Sequence, residues 1–246
     1  MSTFILIHGA WHDARIWDRV APALRSAGHT VVTPNLPGNG FEPPADATPA
    51  AAVTLARYAD AIAPSIEGAD APVVLVGHSM AGIVVSALAE RLPERLAKIV
   101  YIAAFMLPDG YSIVSFYERC ATPGMMGARQ ALRLSADQTF STIDPDAARA
   151  LFFNRCTDAD ATMAAGHLGP QPAQPRRDPV HVTEERFGRV PRVYFSTLQD
   201  RTLFPALQRR MYAELVPTRV VKFDTDHSPF FSATDALVDA LLCEAV

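Results

Sequence analysis

The chain has 246 residues, of which 49% are hydrophobic and 20% charged, with a formal net charge of −4. That length suits one large domain with a substantial core, and two separate domains are not required. The charge balance gives no basic field for nucleic acid or an anionic membrane, Met1 to His8 lacks the basic start and long apolar core of a signal peptide, and no stretch reaches the length of a membrane span, so a cytoplasmic protein is expected with no nucleic-acid and no membrane partner.

In chain order, the first predicted element is a short buried strand, Phe4 to His8, which runs at once into Gly9-Ala10-Trp11-His12. A helix follows from about Trp17 to Ala27, with Gly28 as its C-terminal stop, and Thr30 to Thr33 is the second strand. Gly38 to Pro49 reads as loop and Thr54 to Ile66 as a helix. Val73 to Val76 has the β-branched density of a strand buried on both faces, and Ile83 to Leu92 repeats apolar residues at helical spacing. Lys98 to Ala103 supplies a fourth strand. This β-α-β-α alternation predicts an α/β fold whose right-handed crossovers make the sheet mostly parallel, with helices on its flanks.

From Phe105 to Arg189 the alternation breaks. Helical leanings appear around Ile113 to Arg119, Ala128 to Leu134, Asp146 to Asn154 and Asp158 to Ala165, before an extended proline-rich connector, Pro170 to Pro179. Residues 105–189 are therefore expected to form a helical cap inserted after the fourth strand, with 1–104 and 190–246 as the core. Phe116, Tyr117, Met125, Met126, Phe152 and Phe153 would give the cap an apolar underside, most of them packing among themselves and some touching substrate. Two more strands, Val193 to Ser196 and Thr218 to Phe223, complete the sheet.

The chemistry concentrates where strands end. Gly77-His-Ser-Met-Ala-Gly82 lies between a buried strand and a helix, with small residues flanking Ser79 as a nucleophile-elbow turn requires. The bland alternative makes Ser79 a plain helix N-cap. Downstream, Asp200 follows one strand and His227 follows the last, giving the order serine, acid, histidine in which each residue sits on a loop at a strand's carboxyl end. That pattern predicts a serine nucleophile with His227 as base and Asp200 as its partner. Asp109 is a second candidate for the acid, because it also follows a strand. An oxyanion needs two amide donors, and Met80, after the nucleophile, and Ala10, in the first loop, are the candidates. His8 and His12 are expected to hold that loop by hydrogen bonds, while Gly9 lets the backbone turn and Trp11 either lines the pocket or packs. Cys120, Cys156 and Cys243 are widely spaced and no metal-ligand spacing appears, so neither a disulfide framework nor a metal is predicted.

Leu6-Ile-His-Gly-Ala-Trp11 with Trp17, Ala27-Gly-His-Thr-Val31, Gly77-His-Ser-Met-Ala-Gly82, Gln199-Asp200 and Asp226-His-Ser-Pro-Phe230 together resemble the α/β-hydrolases of the plant methylesterase and hydroxynitrile lyase group and their bacterial esterase relatives. The resemblance spans nearly the whole chain. It implies the α/β-hydrolase fold, a Ser79–His227–Asp200 triad, an oxyanion hole from the Ala10 and Met80 amides, a helical cap and no cofactor. It alone suggests a homodimer. Lyases of the group carry threonine where Gly9 stands and lysine where Ser228 stands, and both departures favour hydrolysis of small to medium, largely apolar esters. Hydroxynitrile cleavage, or a non-catalytic small-molecule receptor on the same fold, are the alternatives.

Overall fold

In a computed structural model the chain is described over residues 1–40 and 49–246, so most of the loop expected from Gly38 to Pro49 lies outside the described residues. The first strand, β1 (Thr3–Ile7), is followed by a 3-10 turn at Ala14–Trp17 and then by α1 (Val20–Ser26), shorter than the helix read from the sequence. Asp13 explains the turn, since its side chain accepts the Arg15 amide and caps it. Gly28 ends α1 at φ 87°, a left-handed conformation that a Cβ disfavours. Next come β2 (Thr30–Val32) and α2 (Leu55–Glu67), whose Thr54 accepts the Arg57 amide as N-cap. Leu55, Tyr58, Ala59, Ile62, Ala63 and Ile66 repeat at helical spacing and are all buried.

Then follow β3 (Val73–His78), buried at every position, α3 (Ala81–Arg91) and β4 (Leu96–Ile102). The excursion after β4 contains α4 (Ile113–Cys120), β5 (Leu132–Leu134), β6 (Phe140–Ile143), α5 (Pro145–Phe152), α6 (Asp158–Gly166) and β7 (Gln171–Pro172). The chain then returns through β8 (Arg192–Thr197), α7 (Pro205–Glu214), β9 (Arg219–Phe223), the single turn α8 (Pro229–Ser232) and α9 (Thr234–Leu242).

Six strands form one sheet in the order β2-β1-β3-β4-β8-β9, and every pairing in it is parallel. Side chains alternate strictly between its faces. Phe4, Leu6, Val74, Val76, Val100, Ile102, Val193 and Phe195 share one buried cluster with Val20 and Leu24 of α1 and Leu237 and Leu241 of α9. Ile5, Ile7, Val73, Leu75, Ile99, Tyr101 and Tyr194 share the other with α2, α3 and α7. Apolar material on both faces is what a parallel sheet needs, because neither face is left to water.

The excursion over the strand ends is helical where α4, α5 and α6 were expected, and it differs in one place. The segment around Ala128 to Leu134 is not a helix: a 3-10 turn at Gly127–Gln130 runs into β5, which pairs antiparallel with β6, and β6 pairs with β7. Cross-strand pairing of Leu132, Arg133 and Leu134 with Ile143, Thr142 and Ser141 overrides the local helical leaning. The proline-rich connector is extended at β7 and tightens into a 3-10 turn at Gln174–Arg176. Gln171 within it is fully buried and joins Asn39 and Tyr58 in a hydrogen-bonded ring that also receives the Trp11 amide.

Candidate active site

The turn between β3 and α3 is forced. Ser79 takes φ 53°, in a region that non-glycine residues seldom visit. Three backbone bonds hold it there: Ser79 donates to the Ile102 carbonyl at 3.1 Å, while the Ser79 carbonyl accepts the amides of Gly82 and Phe105. Gly77 and Gly82 make the close approach workable. A Cβ on Gly77 would meet the Ala81 carbonyl oxygen at 2.9 Å, and one on Gly82 would collide with the Phe105 backbone. The turn thus aims the Ser79 hydroxyl out of the sheet at the start of a helix of 11 residues.

Two loops from neighbouring strands meet it. The loop after β8 carries Asp200 and the loop after β9 carries His227, and backbone bonds from Leu198 to Phe223 and from Gln199 to Thr225, both 2.9 Å, hold them side by side. His227 Nε2 lies 2.9 Å from Ser79 Oγ, and His227 Nδ1 lies 2.7 Å from Asp200 Oδ2. A carboxylate only accepts, so Nδ1 carries the proton and Nε2 is left to accept from the serine hydroxyl. His227 is 1% exposed and Asp200 2%. Asp200 is held by further donors: Thr202 and Leu203 amides at 2.8 Å on Oδ1, and Thr197 Oγ1 at 3.0 Å and Gln208 Nε2 at 3.1 Å on Oδ2. A buried carboxylate with this many donors is fixed in direction. Asp109, the second candidate, is elsewhere, exposed, accepting the Val182 amide and facing His181.

Around this line the histidines are structural. His8 accepts the Leu36 amide on Nε2 at 3.0 Å and donates from Nδ1 to the Gly9 carbonyl, and burial lowers its pKa to about 4. His12 donates from Nδ1 to the Ala10 carbonyl at 2.8 Å and is lowered by burial to about 3. His78 donates from Nε2 to the carbonyl of His227 at 2.9 Å and is driven well below the ordinary histidine value, again by burial first. All three are neutral at ordinary pH.

The amides of Ala10 and Met80 find no protein acceptor among the described residues, and both residues line a narrow cavity of about 30 Å³ that opens at Ser79. Of the candidates for its lining, Trp11 and Tyr117 are there. Tyr117 donates from its hydroxyl to the Thr202 carbonyl at 3.1 Å, and burial pushes that hydroxyl's pKa up. Gly9 is not in the lining: a Cβ there would sit 2.8 Å from His78 Nδ1 and 2.9 Å from Ser79 Cβ, so its role is close packing behind the serine. Phe116 is buried in the core against Phe105 and Tyr117, and Met125 packs half-buried beside that core. Phe152 stands beside the cavity, stacked on Trp11 at 6.0 Å and tilted over the His227 ring at 5.7 Å.

Several site residues carry no local signal in the sequence. Phe105, Ile113, Ala128 and Thr202 line the cavity together with Arg129 and Arg176. Asp226, buried beside His227, accepts the Arg155 amide at 2.7 Å and so ties the segment after α5 to the His227 loop. For Gln208 there was a usable sign, a buried polar residue on the apolar side of α7.

Among the described residues no helix is long and apolar enough to cross a membrane, and no group of histidine, cysteine or acidic side chains is arranged to hold a metal ion. Residues 4–240 match the model of a family described as the alpha/beta hydrolase family. A chloroplastic protein of Arabidopsis thaliana that carries the name methylesterase 14 is 31% identical over 98% of this chain and 71% of its own length. A pyrethroid hydrolase of Sphingobium wenxiniae is 28% identical over 98% of this chain and 86% of its own. Among solved structures, a pyrethroid hydrolase from Sphingobium faniae JZ-2 superposes with a TM-score of 0.87 at 26% identity, covering 98% of this chain and 96% of that one. Polyneuridine aldehyde esterase, 23% identical with a TM-score of 0.85 over 99% of each chain, shares the fold.

Proposed function

The chain belongs to the alpha/beta hydrolase family, and from that premise we propose that it is a serine hydrolase that cleaves carboxylic esters through an acyl-enzyme. The observation that carries this reading is the unbroken line from Ser79 Oγ through the His227 ring to Asp200, ending on a cavity that also presents two free amides. In this mechanism His227 Nε2 takes the serine proton as Oγ attacks the ester carbonyl, and Asp200 keeps the imidazole in the right tautomer and stabilises its charged form. The carbonyl oxygen gains negative charge against the Ala10 and Met80 amides, at the positive end of the α3 dipole. His227 then returns the proton to the departing alcohol, and water repeats the steps to release the acid.

Relatives named methylesterase and pyrethroid hydrolase support ester cleavage. The walls formed by Phe105, Ile113, Tyr117 and Ala128 favour small to medium, largely apolar esters. Hydroxynitrile cleavage is disfavoured by the absence of room for a side chain at Gly9 and by Ser228, a buried neutral hydroxyl with no charge to offer a departing cyanide. Hydrolysis of a panel of p-nitrophenyl and methyl esters, with mandelonitrile cleavage alongside, tests the proposal. Ser79→Ala is expected to lower kcat by roughly 10⁴ to 10⁶. A variant that keeps most of the activity would remove Ser79 from the mechanism, and cyanide release exceeding ester turnover would replace the esterase reading with a lyase.

A further inference from the structure

We propose that the ester this site takes carries a carboxylate several bonds from the scissile carbonyl, and that Arg176 and Arg129 bind it under the cap. The inference rests on the serine hydrolase reading above and names the class of its substrate.

Both arginines line the cavity that opens at Ser79, and both also line an adjoining hollow that contains Arg177, Val114 and Leu132. They therefore stand between the inner end of the site and the more open space in the cap. Neither has a carboxylate partner among the described residues. Elsewhere in the chain arginines beside the fold's surface find one, as Arg19 does in Asp160 and Arg91 in Asp60.

The two side chains are nonetheless positioned. The Arg176 guanidinium lies over the Trp11 ring at 5.3 Å and reaches Ser141 Oγ at 3.4 Å, while that of Arg129 lies over the Tyr117 ring at 5.5 Å. Stacking on an aromatic face leaves a guanidinium's in-plane N–H donors free, and that fork matches a carboxylate. Burial lowers the Arg176 pKa to about 10, and the neighbouring charges of Arg129 and Arg177 press the same way. A partly desolvated pair of like charges is costly when empty, and an anion between them offsets the cost. The chain as a whole is acidic, with a net charge of −4, so this cationic pair is local to the site and no part of a general basic surface.

Trp11 joins the two ends of the site. It directly follows Ala10, whose amide faces the scissile carbonyl in the proposed mechanism, and Arg176 lies over its ring in the same cavity, so one substrate can meet both the amide and the guanidinium. Half-esters of dicarboxylic acids fit that description.

The test compares monomethyl and dimethyl adipate, and the readout is the ratio of their kcat/KM values. In the wild type the half-ester is expected to be favoured by about 10- to 100-fold, carried mainly by KM, the range of a charge-assisted hydrogen bond. The ratio should collapse toward one in Arg176→Gln, fall in Arg129→Gln, and recover in part in Arg176→Lys. A wild-type ratio at or below one, or an unchanged ratio in Arg176→Gln, would overturn the proposal while leaving ester hydrolysis intact. If neither ester is turned over, calorimetry of monomethyl adipate binding decides separately: affinity that drops about tenfold or more in Arg176→Gln supports the anion site, and no binding rejects it, while the hydrolase reading stands or falls on the ester panel with Ser79→Ala.

Discussion

A hydrogen bond from His78 to the backbone of His227, 2.9 Å long, joins the residue before Ser79 to the loop that faces it. With Gln208 and the Thr202 and Leu203 amides on Asp200, the result is a site in which His227 and Asp200 are each held by neighbours that do no chemistry themselves. Asp200 is the stringent position. Asp200→Asn should reduce kcat by about 10⁴, because an amide favours the wrong imidazole tautomer, whereas the exposed Asp109→Asn should change it by about twofold or less. Steady-state kinetics on the two variants separate them, and a larger loss at Asp109 would reassign the acid. Ser79, Asp200 and His227 could be singled out in the sequence because each follows a segment with strand character, which is a local signal. His78 and Asp226 were not, because their partners lie on distant loops and leave no periodic trace.

At the scale of elements, the decisive contact is the start of α3 against the chain leaving β4. Gly82 has no room for even a methyl group beside the Phe105 backbone, which cannot yield as a flexible side chain would. Gly82→Ala should therefore cost at least about 2 kcal/mol of stability and distort the Ser79 turn. Denaturant unfolding measures the first and esterase activity the second, and a variant of wild-type stability would show that the turn is not tightly packed. The sequence shows small residues on both flanks of Ser79. Both approaches exist, with the Ala81 carbonyl facing Gly77 and Gly82 facing Phe105. The strands and flanking helices were readable from burial and spacing, since tertiary packing and local pattern agree there. In the excursion they disagree at Ala128 to Leu134, where pairing across strands outweighs a helical leaning.

For the whole molecule, three neutral histidines buried under the first loop and the elbow set a limit toward acid. Burial lowers His8 to about 4 and His12 to about 3, with His78 well below the ordinary histidine value. The unfolded chain takes up these protons first, near pH 6.5, so stability is fully present above that value and is lost progressively as pH falls from it toward 4. The melting temperature should thus hold above about pH 6.5 and fall progressively from there toward pH 4, with a shallower slope in His12→Asn, and a flat profile would mean that these rings are already solvated. The architecture of the large sheet could be read from the order of its segments. The attachment of the excursion could not, because it rests on apolar packing and polar bonds between segments far apart in the chain, such as Phe152 on Trp11, Arg155 to Asp226, Asn154 to the Gln199 carbonyl and Thr202 to the Leu151 carbonyl. The bond to Asp226 makes one carboxylate answer to two masters. Asp226 accepts the Arg155 amide on one oxygen and the Ser228 amide and Ser232 hydroxyl on the other, so the group that anchors the segment after α5 is the same group that shapes the turn carrying the His227 ring, and neither can be re-engineered without retuning the other.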